Sequence, residues 1–292
     1  VLGPLLFLLF INDLPDNISS NVCLFADDCV IYKTINSICD ANQMQRDFDN
    51  LATWEQKWKM SFNISKCHIM HIHRSRNPLK TTYMLHNQPL STVSQATYLG
   101  VEITSNLLWS PHINKVANKA SQSLNRNLHS AKPSTKTAAY NSIVRPNLEY
   151  CSSVWDPYHQ NDINKLENVQ RKASRFVTNN YCKTPGTVTN ILDNLKWDTL
   201  QYRRQFSRLI LFHKIIYHHV DININQYLTP YTPQSRHYHH LAFQIPLAST
   251  DYFKYSFFPH TVVQWNALPA DVVSAESISG FKSALASTVI RP

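Results

Sequence analysis

The chain has 292 residues, enough for two domains, and its 43% hydrophobic and 16% charged residues suit a folded protein and argue against a disordered one. No apolar run is long enough to span a membrane. Six Cys without a C-x-x-C pair argue against a zinc ribbon and a secreted disulfide framework, so reduced, mostly buried thiols are expected.

Gly3-Pro4-Leu5 opens a strongly apolar segment that runs to Leu14 and ends at Pro15. The segment is too short to cross a bilayer, and it lacks the Met and basic flank of a signal peptide. A buried helix is expected there, lying under the hairpin that follows. Val22–Ala26 and Cys29–Tyr32 are apolar runs on either side of Asp27 and Asp28, the pattern of a strand, a tight turn and a strand. Asp is common in turns, where a solvated pair is the ordinary outcome. Two adjacent carboxylates at a hairpin tip are also hard-oxygen ligands of the kind that hold Mg²⁺, with water and phosphate completing the shell.

Asp40 is placed to cap the next helix, with Gln43 completing a capping box. Ala41, Met44, Phe48, Leu51, Trp54 and Trp58 then fall within about 140° of arc at about 100° per residue, a stripe that faces a core. Lys66 leads into a strand over Cys67–His73, a second hairpin turns at His86-Asn87-Gln88-Pro89, and Tyr98–Ile103 reads as a further strand. Gly100, one of four Gly, marks either a bulge or a close approach of backbone to a ligand.

Positive charge is concentrated in the middle. Residues 111–220 hold 16 Lys and Arg against 6 Asp and Glu, whereas residues 1–110 hold 8 against 9 and residues 221–292 hold 4 against 4. Such a stretch suits a polyanion, because each neutralised phosphate releases condensed counterions. Ser110-Pro111 starts a helix with Ile113, Val116, Ala117, Ala120, Leu124 and Leu128 on one face and Lys115, Lys119 and Arg126 on the other. A second helix is expected over Thr135–Arg145, stopped by Pro146, and a third from Asn161 or Asp162 with Ile163, Leu166, Gln170, Ala173 and Val177 inward. Tyr150, Trp155 and Tyr158, between these helices, are expected to pack, with stacking on bases as the alternative.

A helix over Asp198–His219 is apolar on most sides in its second half and should be buried by neighbours. Asp221–Arg236 reads as a loop, and an aromatic-rich end follows with Phe253, Tyr255, Phe257, Phe258 and Trp265, broken by Pro259 and Pro269. His68, His71 and His73 cluster, as do His237, His239 and His240, but neither group has Cys or carboxylates at ligand spacing, so zinc is not expected.

Four segments carry a family pattern: Gly3-Pro4-Leu5-Leu6-Phe7, Phe25-Ala26-Asp27-Asp28, Phe62-Asn63-Ile64-Ser65-Lys66-Cys67 and Tyr98-Leu99-Gly100-Val101. In this order they resemble the later palm motifs of reverse transcriptases from non-LTR retrotransposons, most nearly the jockey and CR1-like group. The resemblance implies an α+β fold: the C-terminal part of a polymerase palm over residues 1–108, a helical thumb over 109–185 and a helical, aromatic-rich region over 186–292. It implies an RNA-directed DNA polymerase that joins nucleotides with two Mg²⁺ ions, with an RNA template, a DNA primer and deoxynucleoside triphosphates as partners. It further implies no membrane association, and nuclear or cytoplasmic residence without secretion.

Residue by residue, Asp27 matches the metal-binding aspartate of the family and Asp28 its neighbour. Lys66 matches a lysine near the triphosphate; an ordinary surface lysine is the alternative. Leu99 and Gly100 match the element that grips the primer end, and Gly3 and Pro4 the start of the motif that braces template and incoming nucleotide. Lys115, Lys119 and Arg126 would meet the duplex backbone. Phe25 stands where many reverse transcriptases have Tyr. The family's Gln-Gly before Gly3, its other catalytic aspartate and its fingers would precede Val1, so a fragment inactive by itself is expected. The alternative is a non-catalytic nucleic-acid-binding relic of such an element.

Overall fold

The computed structural model describes residues 2–124, 130–231 and 239–288. Helix and strand are mixed, and the chain packs as two units, Val1–Leu108 and Trp109–Pro292.

In the first unit, α1 (Leu2–Ile11) leads through a 3₁₀ turn to the antiparallel hairpin β1 (Asn21–Phe25) and β2 (Asp28–Tyr32). The helix α2 (Ile38–Trp58) follows, then six short strands: β3 (His68–Ile69), β4 (Met84–Leu85), β5 (Gln88–Pro89), β6 (Ser91–Thr92), β7 (Gln95–Tyr98) and β8 (Val101–Thr104). The described strands form separate two-stranded ladders, antiparallel except for β3 with β6, where a polymerase palm implies an antiparallel sheet. Of the seven residues Cys67–His73 expected to form a strand, only His68 and Ile69 pair, so His71 and His73 share no strand face.

The apolar stripe of α2 is buried as its spacing predicts, with Ala41, Met44, Phe48, Leu51 and Trp54 in or near the core. Its cap differs from the expectation. Ser37 is the N-cap and Asp40 the third helical residue, and the two close a reciprocal capping box. Ser37 has the extended backbone that a cap needs, and the acid sits inside the first turn, where the helix dipole favours it. Polar groups on α2 then tie in the rest of the unit. Asp13 Oδ1 and Oδ2 accept from Trp54 Nε1 (2.7 Å) and Trp58 Nε1 (3.1 Å), and Gln45 brackets Met84 by donating to its carbonyl and accepting from its amide. Glu55 accepts from the Phe62 amide and pairs with His86.

The first helix is not buried as expected. Only Phe7, Phe10 and Ile11 turn into the core, while Leu2, Leu5, Leu6, Leu8 and Leu9 are exposed. A helix that is apolar all round has one side here to bury, at the three- and four-residue spacing of positions 7, 10 and 11.

The second unit begins with α3 (Ser110–Leu124), whose Ile113, Ala117 and Ala120 are buried. Next come α4 (Pro133–Ala139), a π-helical turn over Tyr140–Val144 and α5 (Arg145–Glu149). Pro146 therefore does not stop the helix. It lies in the first turn after the wide π segment, where the amide it lacks has no regular partner to lose. After α6 (Ser152–Trp155) comes α7 (Gln160–Thr178), which buries Ile163, Leu166, Gln170, Ala173 and Val177 as its periodicity predicts. Trp155 is fully buried and donates to the Tyr150 carbonyl, and Tyr158 stacks on Tyr255 at 4.4 Å.

The remaining helices are α8 (Thr187–Leu195), α9 (Leu200–Ile216), α10 (Asp251–Lys254), α11 (Phe257–Asn266), α12 (Ala270–Val273) and α13 (Ile278–Thr288). Leu209 and Phe212 of α9 are enclosed by Val262, Trp265, Val273, Phe281 and Leu285, so the aromatic end closes over the second half of this helix. Pro259 does not break it, because it occupies the first turn of α11.

The expectation of mostly buried thiols fails: Cys23, Cys39, Cys151 and Cys182 are exposed and Cys29 and Cys67 half-buried. Buried cations take the place that thiols were expected to fill. Arg204 and Arg208 are both 1% exposed, and the Asp156 carboxylate accepts from each. One carboxylate between two buried guanidiniums is indispensable, since its loss leaves two charges uncompensated. Asp156→Asn is expected to destabilise the second unit by about 3–5 kcal/mol, measured by urea unfolding.

Beside this cluster, burial and then Arg208 push His260 down to about 4, against the pull of Asp156. Burial lowers His213 and His239 as well. Below about 6.5 the unfolded chain takes up protons that the folded chain refuses until a lower pH, so stability falls as pH falls through that window. The melting temperature is expected to drop from pH 7 to pH 4.5, and His260→Gln to flatten that slope.

Candidate catalytic hairpin

The two acidic residues sit where the sequence pattern puts them, at the tip of a hairpin. Phe25 pairs with Asp28, leaving Ala26 and Asp27 as a two-residue loop. Of these two, Ala26 has positive φ (51°), the signature of a type II′ turn, whose first central position ordinarily takes Gly. Register fixes the faces. Val22, Leu24, Cys29 and Ile31 pack toward α2, so Cys23, Phe25 and Asp28 point the other way. Asp27 and Asp28 are exposed, and among the described residues neither carboxylate has a hydrogen bond or an ion pair. Their oxygens are therefore open to a cation or to water. Two such ligands suit Mg²⁺, which keeps several waters and shares its shell with phosphate. Among the described residues no group of three or more His, Cys, Asp or Glu is placed to hold a metal.

Tyr98 lies beside this hairpin. Its hydroxyl is pushed up by burial and then by the neighbouring Cys23, Asp28 and Cys29. Sequence reasoning did not single out Tyr98 as a site residue, although it opens the Tyr98-Leu99-Gly100-Val101 segment. The expected strand over Tyr98–Ile103 is two strands. Tyr98 pairs with Val101, and Leu99 and Gly100 form the turn with φ of 47° and 79°. Two successive positive φ values define a type I′ turn, whose twist matches that of the flanking strands. Gly100 thus supplies left-handed backbone, and no bulge is present there. The structure brings this turn's strand and the acidic tip together in one unit.

The other predicted residues are more dispersed. Lys66 ends a 3₁₀ turn (Ile64–Lys66) capped by Asn63 and is exposed, and no strand starts at it. Gly3 and Pro4 are exposed in the first turn of α1. Lys115 and Lys119 are exposed on α3 in the second unit, and Arg126 falls outside the described residues. Of the histidines, His71 stacks on Tyr83, His239 bonds the Trp265 carbonyl, and His237 falls outside the described residues.

Residues 1–103 match the family model described as reverse transcriptase (RNA-dependent DNA polymerase). The chain is 27% identical over 190 residues to a probable RNA-directed DNA polymerase from transposon X-element of Drosophila melanogaster, covering 61% of this chain and 21% of that protein. It is 26% identical over 227 residues to the probable RNA-directed DNA polymerase from transposon BS of the same organism, covering 71% and 25%. The RNA-directed DNA polymerase from mobile element jockey, also of Drosophila melanogaster, is 24% identical over 198 residues, 61% and 21% of the two chains. The chain thus spans about a fifth to a quarter of the length of these relatives. No solved structure gives a significant match. The acidic hairpin and its neighbouring turn both lie within the segment that matches the reverse transcriptase family. Along most of its length the chain is further similar to RNA-directed DNA polymerases of transposable elements.

Ala26 carries a strain that Gly would not, because a left-handed L-residue brings Cβ against the following carbonyl. Ala26→Gly is expected to stabilise the first unit by about 1 kcal/mol, read from the urea midpoint at unchanged slope.

Proposed function

We propose that this chain carries part of the catalytic apparatus of an RNA-directed DNA polymerase, acting on an RNA template, a DNA primer and deoxynucleoside triphosphates. The observation that carries this reading is the exposed, unpaired Asp27-Asp28 tip on a rigid hairpin, in a segment that matches the family. Asp27 and Asp28 would hold Mg²⁺. When bound, the ions supply activation of the primer hydroxyl and neutralisation of the leaving pyrophosphate. The residues themselves contribute position and charge. The hairpin would hold Asp27 in its loop and Asp28 at the start of β2 on the face away from α2, near enough to Tyr98 for the carboxylate to push that hydroxyl up. Lys66, exposed and cationic, would stabilise or protonate departing pyrophosphate. The Leu99-Gly100 turn would contact the primer end, and Gly3 and Pro4 the template side. Lys115, Lys119 and Arg126 would grip the duplex backbone without reading sequence.

A two-ion centre needs more than one adjacent pair of carboxylates, and among the described residues no third His, Cys, Asp or Glu joins this pair. The chain alone is therefore expected not to extend a primer with Mg²⁺ and nucleotides. Fused behind the missing palm strand and fingers of a relative such as the jockey polymerase, it is expected to extend one. Asp27→Ala should then lower that activity about 100-fold or more while leaving duplex binding intact. Extension by the chain alone, or a fused enzyme indifferent to Asp27, would refute the assignment.

A further inference from the structure

One cavity in the second unit plays no part in the reading above. It has a volume of about 980 Å³ and runs between one face of α7, the 183–186 loop and α8. The α7 wall recurs at helical spacing from Gln160 to Arg175, a length of about 22 Å at 1.5 Å per residue. Its chemistry changes along that length. Gln160, Asn164 and Asn168 line one end, and Arg171, Lys172 and Arg175 the other. Lys183 and Lys196 line the facing side.

Charge compensation inside the cavity is incomplete. Among its acids, Glu167 is committed to the Gln201 amide at the start of α9, and Asp193 and Asp198 lie toward α8 and its end. Among the described residues, Lys172, Lys183 and Lys196 have no ion pair, and Arg175 Nε is buried without a hydrogen-bond partner. Arg171 reaches only the Asn168 amide oxygen, at 3.3 Å. Trp197 lines the same cavity and is held by stacking on Tyr140, with ring centres 4.2 Å apart.

Each part of this surface suits one part of a nucleotide strand. Guanidinium and ammonium groups bind phosphates, neutral amides bond to base edges, and a fixed indole offers a stacking face. A wall of about 22 Å matches about six stacked nucleotides at 3.4 Å each. A cleft walled by helices on two sides admits a strand whose bases are unpaired. We propose that the α7–α8 cleft is a binding site for a short single strand of nucleic acid, held by phosphate at its Arg171–Arg175 end and by base edges at its Gln160–Asn168 end. This site goes beyond the polymerase reading and uses neither the acidic hairpin nor α3.

The test is fluorescence-anisotropy binding of the full chain to an eight-nucleotide mixed-sequence RNA, the same DNA, a duplex of the same length and a polyphosphate of equal charge. The triple variant Arg171→Gln, Lys172→Gln, Arg175→Gln is expected to bind the single strand at least about 10-fold more weakly, with its salt slope reduced by about 2. Lys172→Gln alone, at an exposed position that folding does not depend on, is expected to lose about 3-fold. Duplex binding should follow Lys115→Gln with Lys119→Gln and not the cleft variants. A stronger loss for RNA than for DNA would assign a contact to the ribose hydroxyl; equal loss would leave phosphate and base as the recognised groups, and both outcomes support the site. Unchanged single-strand affinity in the cleft variants would overturn it. So would a wild-type chain that binds polyphosphate as tightly as the oligonucleotide, or single-strand binding lost through α3 alone.

Discussion

Asp47 is wholly buried in the middle of α2, and the amides and hydroxyls of Ser19 and Ser20 close on its carboxylate. Burial pushes that carboxyl up, but the hydrogen bonds from Ser20 and Ser19 outweigh burial and hold it below its ordinary value. The consequence is geometric. Two successive amides are pinned immediately before Asn21, where β1 begins, so the phase of the strand is set at its first residue. Alternation then puts Val22 and Leu24 against α2 and leaves Cys23 and Phe25 outside. A slip of one residue would invert that choice and turn Asp28 toward the core, at the cost of burying a charge. The acidic tip thus faces outward because of a carboxylate about twenty residues further along the chain.

A similar economy governs the second unit, where much of the apparent surplus of positive charge is consumed internally. Lys136 is 6% exposed, donates to the Phe176 carbonyl and lies over the Phe176 ring. Arg203 pairs with Glu149, and Arg204 and Arg208 share Asp156. These four cations fasten α4, α5 and the 156 region to α7 and α9 and are not presented to a polyanion. The exposed cations include Lys115 and Lys119 on α3, Lys132 before α4, Lys165, Arg171 and Lys172 on α7, and Lys183 and Lys196 around α8. The net charge of a segment and the charge of its surface are different quantities, and only the second steers a phosphate chain.

Much of this was legible from periodicity. The stripes of α2 and α7 are burial patterns repeated every three or four residues, and they appear at the predicted positions because packing and period agree. The carboxylate hairpin was legible because two apolar runs flank a pair of turn-forming residues. What escaped depended on partners distant in sequence. Nothing local to Ser19 or Asp47 announces their contact, and Asp156 gives no sign of the two arginines that enclose it. Tyr98–Ile103 looked like one strand because Leu99 is a poor turn residue, and the left-handed backbone it adopts contradicts its propensity. The exposure of Leu5, Leu6 and Leu9 escaped because composition reports hydrophobicity and not whether a face finds a partner.

The contradictory turns bear on function. Several of the left-handed non-glycine residues are ordinary: Lys59, Asn179 and Lys196 end helices, where that geometry recruits orphan carbonyls. Asn87, in the 86–87 turn, is a residue type that tolerates the conformation. Ala26 and Leu99 have no such excuse. Each occupies a two-residue hairpin turn where Gly or Asn would relieve the backbone, and each lies within a segment matched by the reverse transcriptase family. Hairpin closure alone would not favour a Cβ at either place. Strain kept at a turn of free choice is strain compensated by something the side chain touches. Both turns lie in the segment that matches the reverse transcriptase family, and each keeps a side chain that hairpin closure alone does not explain.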